Sequence, residues 1–441
     1  MAVPENILIV GGGVFGLSTA LSLSKRHPTS QVTLLEASPI IPNPHGSSVD
    51  SSRIIRADYS HPTYSKLAAE ATDLWRTTEW GQDGRYTQNG LLLVYPDGNS
   101  TAKDYTTKSY HNVKQLGENA QLLPTKADVL RAAPAYGESL SVAGGYVNWS
   151  SGWADAEAGV RFAKQRLDKE GKVRFITGEV TRLLFSETDN QTVTGVVLAN
   201  NTTITSDFVI LATGAWTASL IDLRGRAVST GQAIAYMRIS DEEQRTLENM
   251  PTILNFATGI FIIPPRNNIL KIARHAYGYH NPKPIPLPGS TAGETIHVSL
   301  PEHGVTIPLE GETAFRSALQ QLLPTFADRP FLNTRVCWYT DTPKGDFIIT
   351  HHPTHPHLLL ATGGSGHAYK FFPVIGDKVV DALEGTLSPE LRTLWDWPEA
   401  VDEERFEGTE DGSRSGEKGL VLGVELARGG NKGKRTGRAV L

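Results

Sequence analysis

The sequence predicts an α/β fold, and three observations predict it. The chain opens on a short apolar run, a glycine-rich turn and a run with helical period, which together read as a βαβ unit. Apolar runs of strand length recur late in the chain and end in glycine turns near residues 214 and 363. Between those turns lie strand-like runs broken by Pro and Asn, the pattern of an antiparallel sheet. The expected architecture is a Rossmann-like dinucleotide-binding domain joined to an α+β domain built on an antiparallel sheet.

The βαβ unit carries the strongest signal. Residues 7–10 are apolar and β-branched, as a buried strand requires. Gly11, Gly13 and Gly16 follow in the G-x-G-x-x-G spacing, and Val14, Phe15, Leu17, Ala20 and Leu23 continue as a helix. Gly11 makes the tight turn, Gly13 admits a pyrophosphate to the backbone, and Gly16 lets helix and strand approach. The N–H groups at the helix start favour an anion. A second apolar run, 32–35, ends on Glu36, placed to accept from a ribose hydroxyl. The unit alone leaves NAD and FAD both open.

Composition narrows the class. The 441 residues are 39% hydrophobic and 20% charged, enough for two domains of an ordinary globular chain. A net charge of −5 argues against a nucleic-acid partner, and no apolar run has the length of a membrane span. A single cysteine excludes an internal disulfide framework. The first six residues carry no basic stretch, so no signal peptide is expected. The expected location is the cytoplasm; the final Leu441 leaves a peroxisomal address open, although the Ser-Lys-Leu type is absent.

The remaining elements follow in order. Residues 37–50 form a Pro- and Gly-rich loop, and the next stretch, through Ser51, Ser52, Arg53 and Arg56, mixes small hydroxyls with two arginines beside the nucleotide turn. Residues 64–75 read as a helix, 90–95 as a strand, and 111–133 as two short helices around Pro124. The run 144–155 leads into a helix at 156–169, then a strand at 173–177 and a β-pair, 180–185 with 193–198, starting at Val180. A buried strand from 208 ends in the turn of Gly214 and Trp216. Strands are expected at 233–239, 256–263 and 270–274, a helix at 313–323, strands at 347–349 and 358–362, and a helix at 374–383. The acidic, then Gly-, Lys- and Arg-rich stretch 402–441 reads as a flexible tail.

Several side chains stand out. Cys337 reads first as a small buried core residue; the sharper readings are a nucleophile or a covalent cofactor tether. Lys271 lies inside a strand and faces either solvent or the cofactor. Lys370 is a charge in an aromatic run just after the turn Gly363-Gly364-Ser365-Gly366-His367, which suits an anion partner. HExxH, CxxC and P-loop patterns are absent, so no metal site is expected.

Together, the βαβ unit, Ser51-Ser52-Arg53-Ile54-Ile55-Arg56, Cys337-Trp338-Tyr339-Thr340-Asp341-Thr342-Pro343 and Gly363 to Lys370 resemble the monomeric sarcosine oxidase family. That family includes L-pipecolate, L-saccharopine and fructosyl amino acid oxidases, the last also called amadoriases. The likeness runs to about Trp397, and 408–416 faintly resembles the amadoriase C-terminal segment, which would make Arg414 a second substrate contact. The resemblance implies FAD, tethered through Cys337, and oxidation of an amino acid's secondary amine to an imine. O₂ then reoxidises the flavin and yields H₂O₂. Lys271 matches the lysine that activates oxygen, Arg56 and Lys370 the carboxylate anchors, and Tyr339 one wall of the amine cage. Ser52 and Arg53 match flavin contacts, with Ser51 beside them. Gly364, Gly366 and His367 belong to the same cofactor turn. Amadoriases carry an Asn-Asp-x-Asn-Lys type of segment without an arginine matching Arg56, so the likeness favours L-saccharopine or L-pipecolate over sugar adducts. A tailoring oxidase of N-alkyl amino acids and, from another class, an NAD(P)-dependent dehydrogenase stand as alternatives.

The partners implied are a small amino-acid substrate and O₂, with a monomeric enzyme. The implied division is an FAD-binding domain from 1–60, 140–230 and 335–400, and a substrate domain from 61–139 and 231–334.

Overall fold

A computed structural model describes residues 3–290, 293–402 and 406–429. Two sheets organise it. The first has six strands, and the strand Asn6–Val10 lies within it. Gln31–Glu36 and Phe208–Leu211 pair with that strand in parallel on either side. Val173–Thr177 and Leu358–Thr362 extend the parallel set, and Ile348–His351 closes one edge antiparallel. Ile7, Leu8, Ile9 and Val10 are all buried, as a parallel sheet covered on both faces requires. The helix Val14–Arg26 packs on Phe372–Glu384. At Gly376 a Cβ would stand 1.9 Å from the Ser18 carbonyl oxygen, so this helix contact requires glycine.

The second sheet has ten strands and centres on the long strand Val228–Arg238. Ile269–Arg274 pairs with it on one side and Asn333–Asp341 runs antiparallel along it, so Cys337 lies opposite Gln232. This brings Lys271 and Cys337 onto strands flanking the same neighbour. A small separate sheet joins Arg53–Ile55 to Gly152–Ala154, with Arg56 directly after its first strand.

Three expectations need correction. In the region 111–133 the helix expected after Pro124 is present as Lys126–Ala132, but the one expected before it is the end of a longer helix, Ser100–Gln115, and Ala120–Leu123 is an edge strand on Gly144–Asn148. The sheet edge supplied pairing that periodicity cannot show. The run 256–263 is not one strand, because Gly259 at φ +69° turns the chain between Thr252–Asn255 and Ile260–Arg266. Nor is 406–429 a tail. Phe406, Thr409, Ser413 and Arg414 are buried, Leu420–Val421 adds to the large sheet, and Leu422–Gly429 is a helix against Leu309–Leu322. Its low overall hydrophobicity concealed a segment held by a buried ion pair. The rest of the expected tail, 403–405 and 430–441, lies outside the described residues. Within the ranges 140–230 and 335–400 given to the FAD-binding domain, the strand Gly144–Asn148 and most of Asn333–Asp341 pair in the large sheet instead.

Candidate active site

The glycine turn is a cradle that side chains would fill. Gly11 has φ +109°, and a Cβ there would stand 2.4 Å from the Ala212 carbonyl oxygen. A Cβ at Gly16 would stand 1.9 Å from the Gly11 carbonyl oxygen. Glu36 is buried; Oε2 accepts from Gly12 N–H at 2.7 Å, while Oε1 accepts from Ser38 N–H and the Asn43 amide. The acid at the end of the second strand therefore locks the turn. Ser48, which the sequence did not single out, accepts from Val14 N–H at the helix start.

A cavity of about 680 Å³ opens along this turn. Its wall joins Gly11, Gly13, Val14, Phe15 and Glu36 to Val180, Gly214 and Trp216, and then to Arg53, Tyr339, Gly364, Gly366 and His367. A second cavity of about 70 Å³ shares Arg53, Tyr339, Gly366 and His367, and adds Arg56, Cys337 and Lys370. The Tyr339 ring lies so close over Gly366 that a Cβ there would meet it at 2.3 Å. Ser51, Ser52 and Lys271 line neither cavity. Ser51 is exposed and Ser52 offers only its carbonyl, to Lys271 Nζ at 2.7 Å.

Lys271 sits one layer behind, in a cluster around Asp50. Its Nζ is 2.8 Å from the Asp50 carboxylate, and both side chains are buried. Arg53 pairs with the same carboxylate, Arg335 lies 3.5 Å away, and Tyr236 donates its hydroxyl at 2.6 Å. Arg53 Nη2 also reaches Cys337 Sγ at 3.5 Å. The cluster thus touches the thiol on the cavity wall.

The cradle, the carboxylate at the second strand's end and the cavity running on to Cys337 suit a flavin dinucleotide. A family model described as FAD dependent oxidoreductase matches residues 6–382. The chain belongs to that family. The NAD(P) alternative falls with this match. Among relatives, the amino acid oxidase imqH of Aspergillus flavus is 30% identical, covering 90% of this chain and 98% of its own. The L-saccharopine oxidase of Schizosaccharomyces pombe is 29% identical over 90% and 93%. Among solved structures, fructosyl peptide oxidase from E. terrenum superposes with a TM-score of 0.84 at 26% identity, covering 96% and 97%.

The oxidoreductase's electrostatics follow from burial. Desolvation alone would raise Asp50, but Lys271, Arg53 and Arg335 hold its carboxyl well below the usual range. Burial brings Lys271 down to about 8 against the pull of Asp50. Burial, then Arg56, draws Lys370 well below an ordinary lysine. His275, on the small cavity's wall, is likewise depressed by burial and by Arg414 and Arg56. Arg414 pairs with Asp341 at 2.5 Å and donates to the Ser365 and Ala276 carbonyl oxygens. Its guanidinium lies 5.1 Å from the Tyr339 ring centroid. Among the described residues, no group of three or more His, Cys, Asp or Glu is arranged to hold a metal, and no helix is long and apolar enough to cross a membrane.

Asp50, Asp58 and Tyr59 escaped the sequence reading. Each lies in loop-like sequence whose only signal is nearness to the two arginines.

Proposed function

We propose that this FAD-dependent oxidoreductase is an amine oxidase of N-substituted or cyclic amino acids, acting on the CH–NH bond with O₂ as acceptor. The observation that carries this reading is the pair Arg56 and Lys370. Both are buried, both line the small cavity, and among the described residues neither has a carboxylate at ion-pair distance. Buried cations demand an anion, and an amino acid's carboxylate is of the right charge and size. Such an anchor would leave the carbon next to nitrogen near Tyr339, where the two cavities meet.

FAD, when bound, takes up hydride and passes electrons to O₂. Gly11, Gly13, Val14, Phe15, Gly16, Glu36, Val180, Gly214 and Trp216 would hold its dinucleotide part. Arg53, Gly364, Gly366 and His367 would border the ring, with Cys337 as the covalent tether. Tyr339 excludes water from one face of the amine. Lys271, held through Asp50, supplies positive charge where oxygen is reduced. The proposed division keeps 1–60, 140–230 and 335–400 around the cofactor, apart from the strands Gly144–Asn148 and Asn333–Asp341 of the large sheet, with 61–139 and 231–334 over the substrate. The reading also takes the enzyme to be a cytoplasmic monomer, in keeping with its lone buried thiol.

Among substrates, L-saccharopine or L-pipecolate is favoured, because the relative that is an L-saccharopine oxidase spans nearly the whole chain. A fructosyl amino acid is the second reading, supported by the fructosyl peptide oxidase superposition. The test is peroxide release from the purified holoenzyme with saccharopine, pipecolate, sarcosine and fructosyl amino acids, alongside anaerobic bleaching of the flavin. Bleaching by none of these secondary amines, with flavin present, would sink the proposal.

A further inference from the structure

Between the two cations stands an aromatic residue that the reading above does not use. We propose that Tyr59 is a positioning residue that holds Arg56 and Lys370 apart, each with a donor available for a single substrate carboxylate; this rests on the amino-acid oxidase reading.

The Arg56 guanidinium lies 4.8 Å from the Tyr59 ring centroid and Lys370 Nζ lies 5.1 Å from the same centroid. One ring therefore accommodates both cations through its electron-rich π-system. The hydroxyl does a second job. Lys370 has only donors, so Tyr59 Oη must accept its N–H, at 2.7 Å. The Tyr59 proton then points to His367 Nδ1 at 3.0 Å, and His367 Nε2–H donates to the Gly345 carbonyl oxygen at 2.8 Å. This run of bonds has one polarity. It fixes the neutral tautomer of His367, so that no third cation forms beside the pair.

The acid that acts on both cations, Asp58, is kept out of the way. Asp58 is fully buried, and its oxygens accept from Tyr146, Asn148 and Ser151. Lys370 spends its second donor on the His367 carbonyl oxygen at 2.7 Å and has a third in hand. Arg56 Nη1 is buried with no hydrogen-bond partner. A vacant donor on each cation, both on the wall of one small cavity, is the complement of one carboxylate. Tyr59 is itself held rigidly: Asn112 donates to its carbonyl oxygen and its ring stacks on Tyr64.

The experiment compares wild-type holoenzyme with Tyr59→Phe and Tyr59→Leu. Acetate binding is read from the change in flavin absorption, with acetamide as the uncharged control. Tyr59→Phe, which keeps the ring and loses the relay, weakens acetate about tenfold, as expected for loss of a bond to a charged group. It raises the amino acid's KM similarly and leaves kcat within about twofold; acetamide does not change. Tyr59→Leu weakens acetate further. Unchanged acetate affinity and KM in Tyr59→Phe, or a loss confined to kcat, overturns the proposal. No acetate effect on wild-type flavin overturns the carboxylate reading beneath it, a distinct outcome. If Tyr59→Phe does not fold, Tyr59→Gln carries the test, since its amide can accept from Lys370 and donate to His367. A smaller loss than in Tyr59→Leu supports the relay, and an equal loss overturns it.

Discussion

Replacing Asp50 by Asn removes the anion from a buried cluster of cations. The carboxylate and the Lys271 side chain are 0% and 3% exposed, so water cannot take over the lost charge. Breaking a buried pair by removing one partner costs about 3–5 kcal/mol, a large part of the ~5–15 kcal/mol by which proteins are stable. Asp50→Asn should therefore lower the thermal midpoint of the holoenzyme by several degrees at neutral pH. The sign of its pH dependence is fixed. Because the folded carboxyl titrates below its unfolded value of about 3.9, its contribution is complete above that value and is lost only as pH falls through the lower folded one. On the alkaline side the gap between wild type and variant narrows as pH rises to and past about 8, where Lys271 gives up its proton. Adding Lys271→Met to Asp50→Asn should restore part of the loss, since one unpaired charge goes with it. A cost below ~1 kcal/mol, or a double variant as unstable as the two single losses summed, would refute the buried-cluster argument.

Other outcomes follow from the same geometry. Gly16→Ala places a Cβ 1.9 Å from the Gly11 carbonyl oxygen; it should cost at least about 1–3 kcal/mol and lower the flavin content, and a fully flavinated variant of wild-type stability counts against the cradle. Arg414→Ala strands the Asp341 carboxylate in the interior and should cost about 3–5 kcal/mol, measured by the thermal midpoint. Cys337→Ala should release all flavin into the supernatant on acid precipitation while the wild-type pellet stays yellow; identical behaviour of the two removes the tether. Lys271→Met should slow flavin reoxidation by O₂ about a hundredfold with little change in the anaerobic reductive rate, and wild-type reoxidation should weaken as pH rises through about 8.

The parts of this protein legible from sequence are those whose function fixes both residue type and spacing. The triplet Gly11, Gly13 and Gly16 is readable because a Cβ at Gly11 or Gly16 would strike backbone. Cys337 to Pro343 and Gly363 to Lys370 are readable because the thiol, the aromatic wall and the glycine turn recur as a set. Lys271 was identified with its direction open, and only strand pairing settles that it points inward to Asp50. Asp50 itself sits in a Ser-rich loop with no period to betray it. The strand Ala120–Leu123 was missed because it forms on an edge provided by Gly144–Asn148. The segment 406–429 was misread because polar composition suggests solvent, whereas Arg414 is polar for the sake of a buried partner.

That last segment has a consequence for how the enzyme is made. The dinucleotide cradle leaves the ribosome first, but Arg414 is synthesised 403 residues after Gly11 (414 − 11 = 403). At about 5–20 residues per second, the 73 residues between Asp341 and Arg414 take roughly 4–15 s, during which the Asp341 carboxylate is without its guanidinium. A chain interrupted between those two residues would therefore hold the buried Asp341 carboxylate with no guanidinium to pair with it.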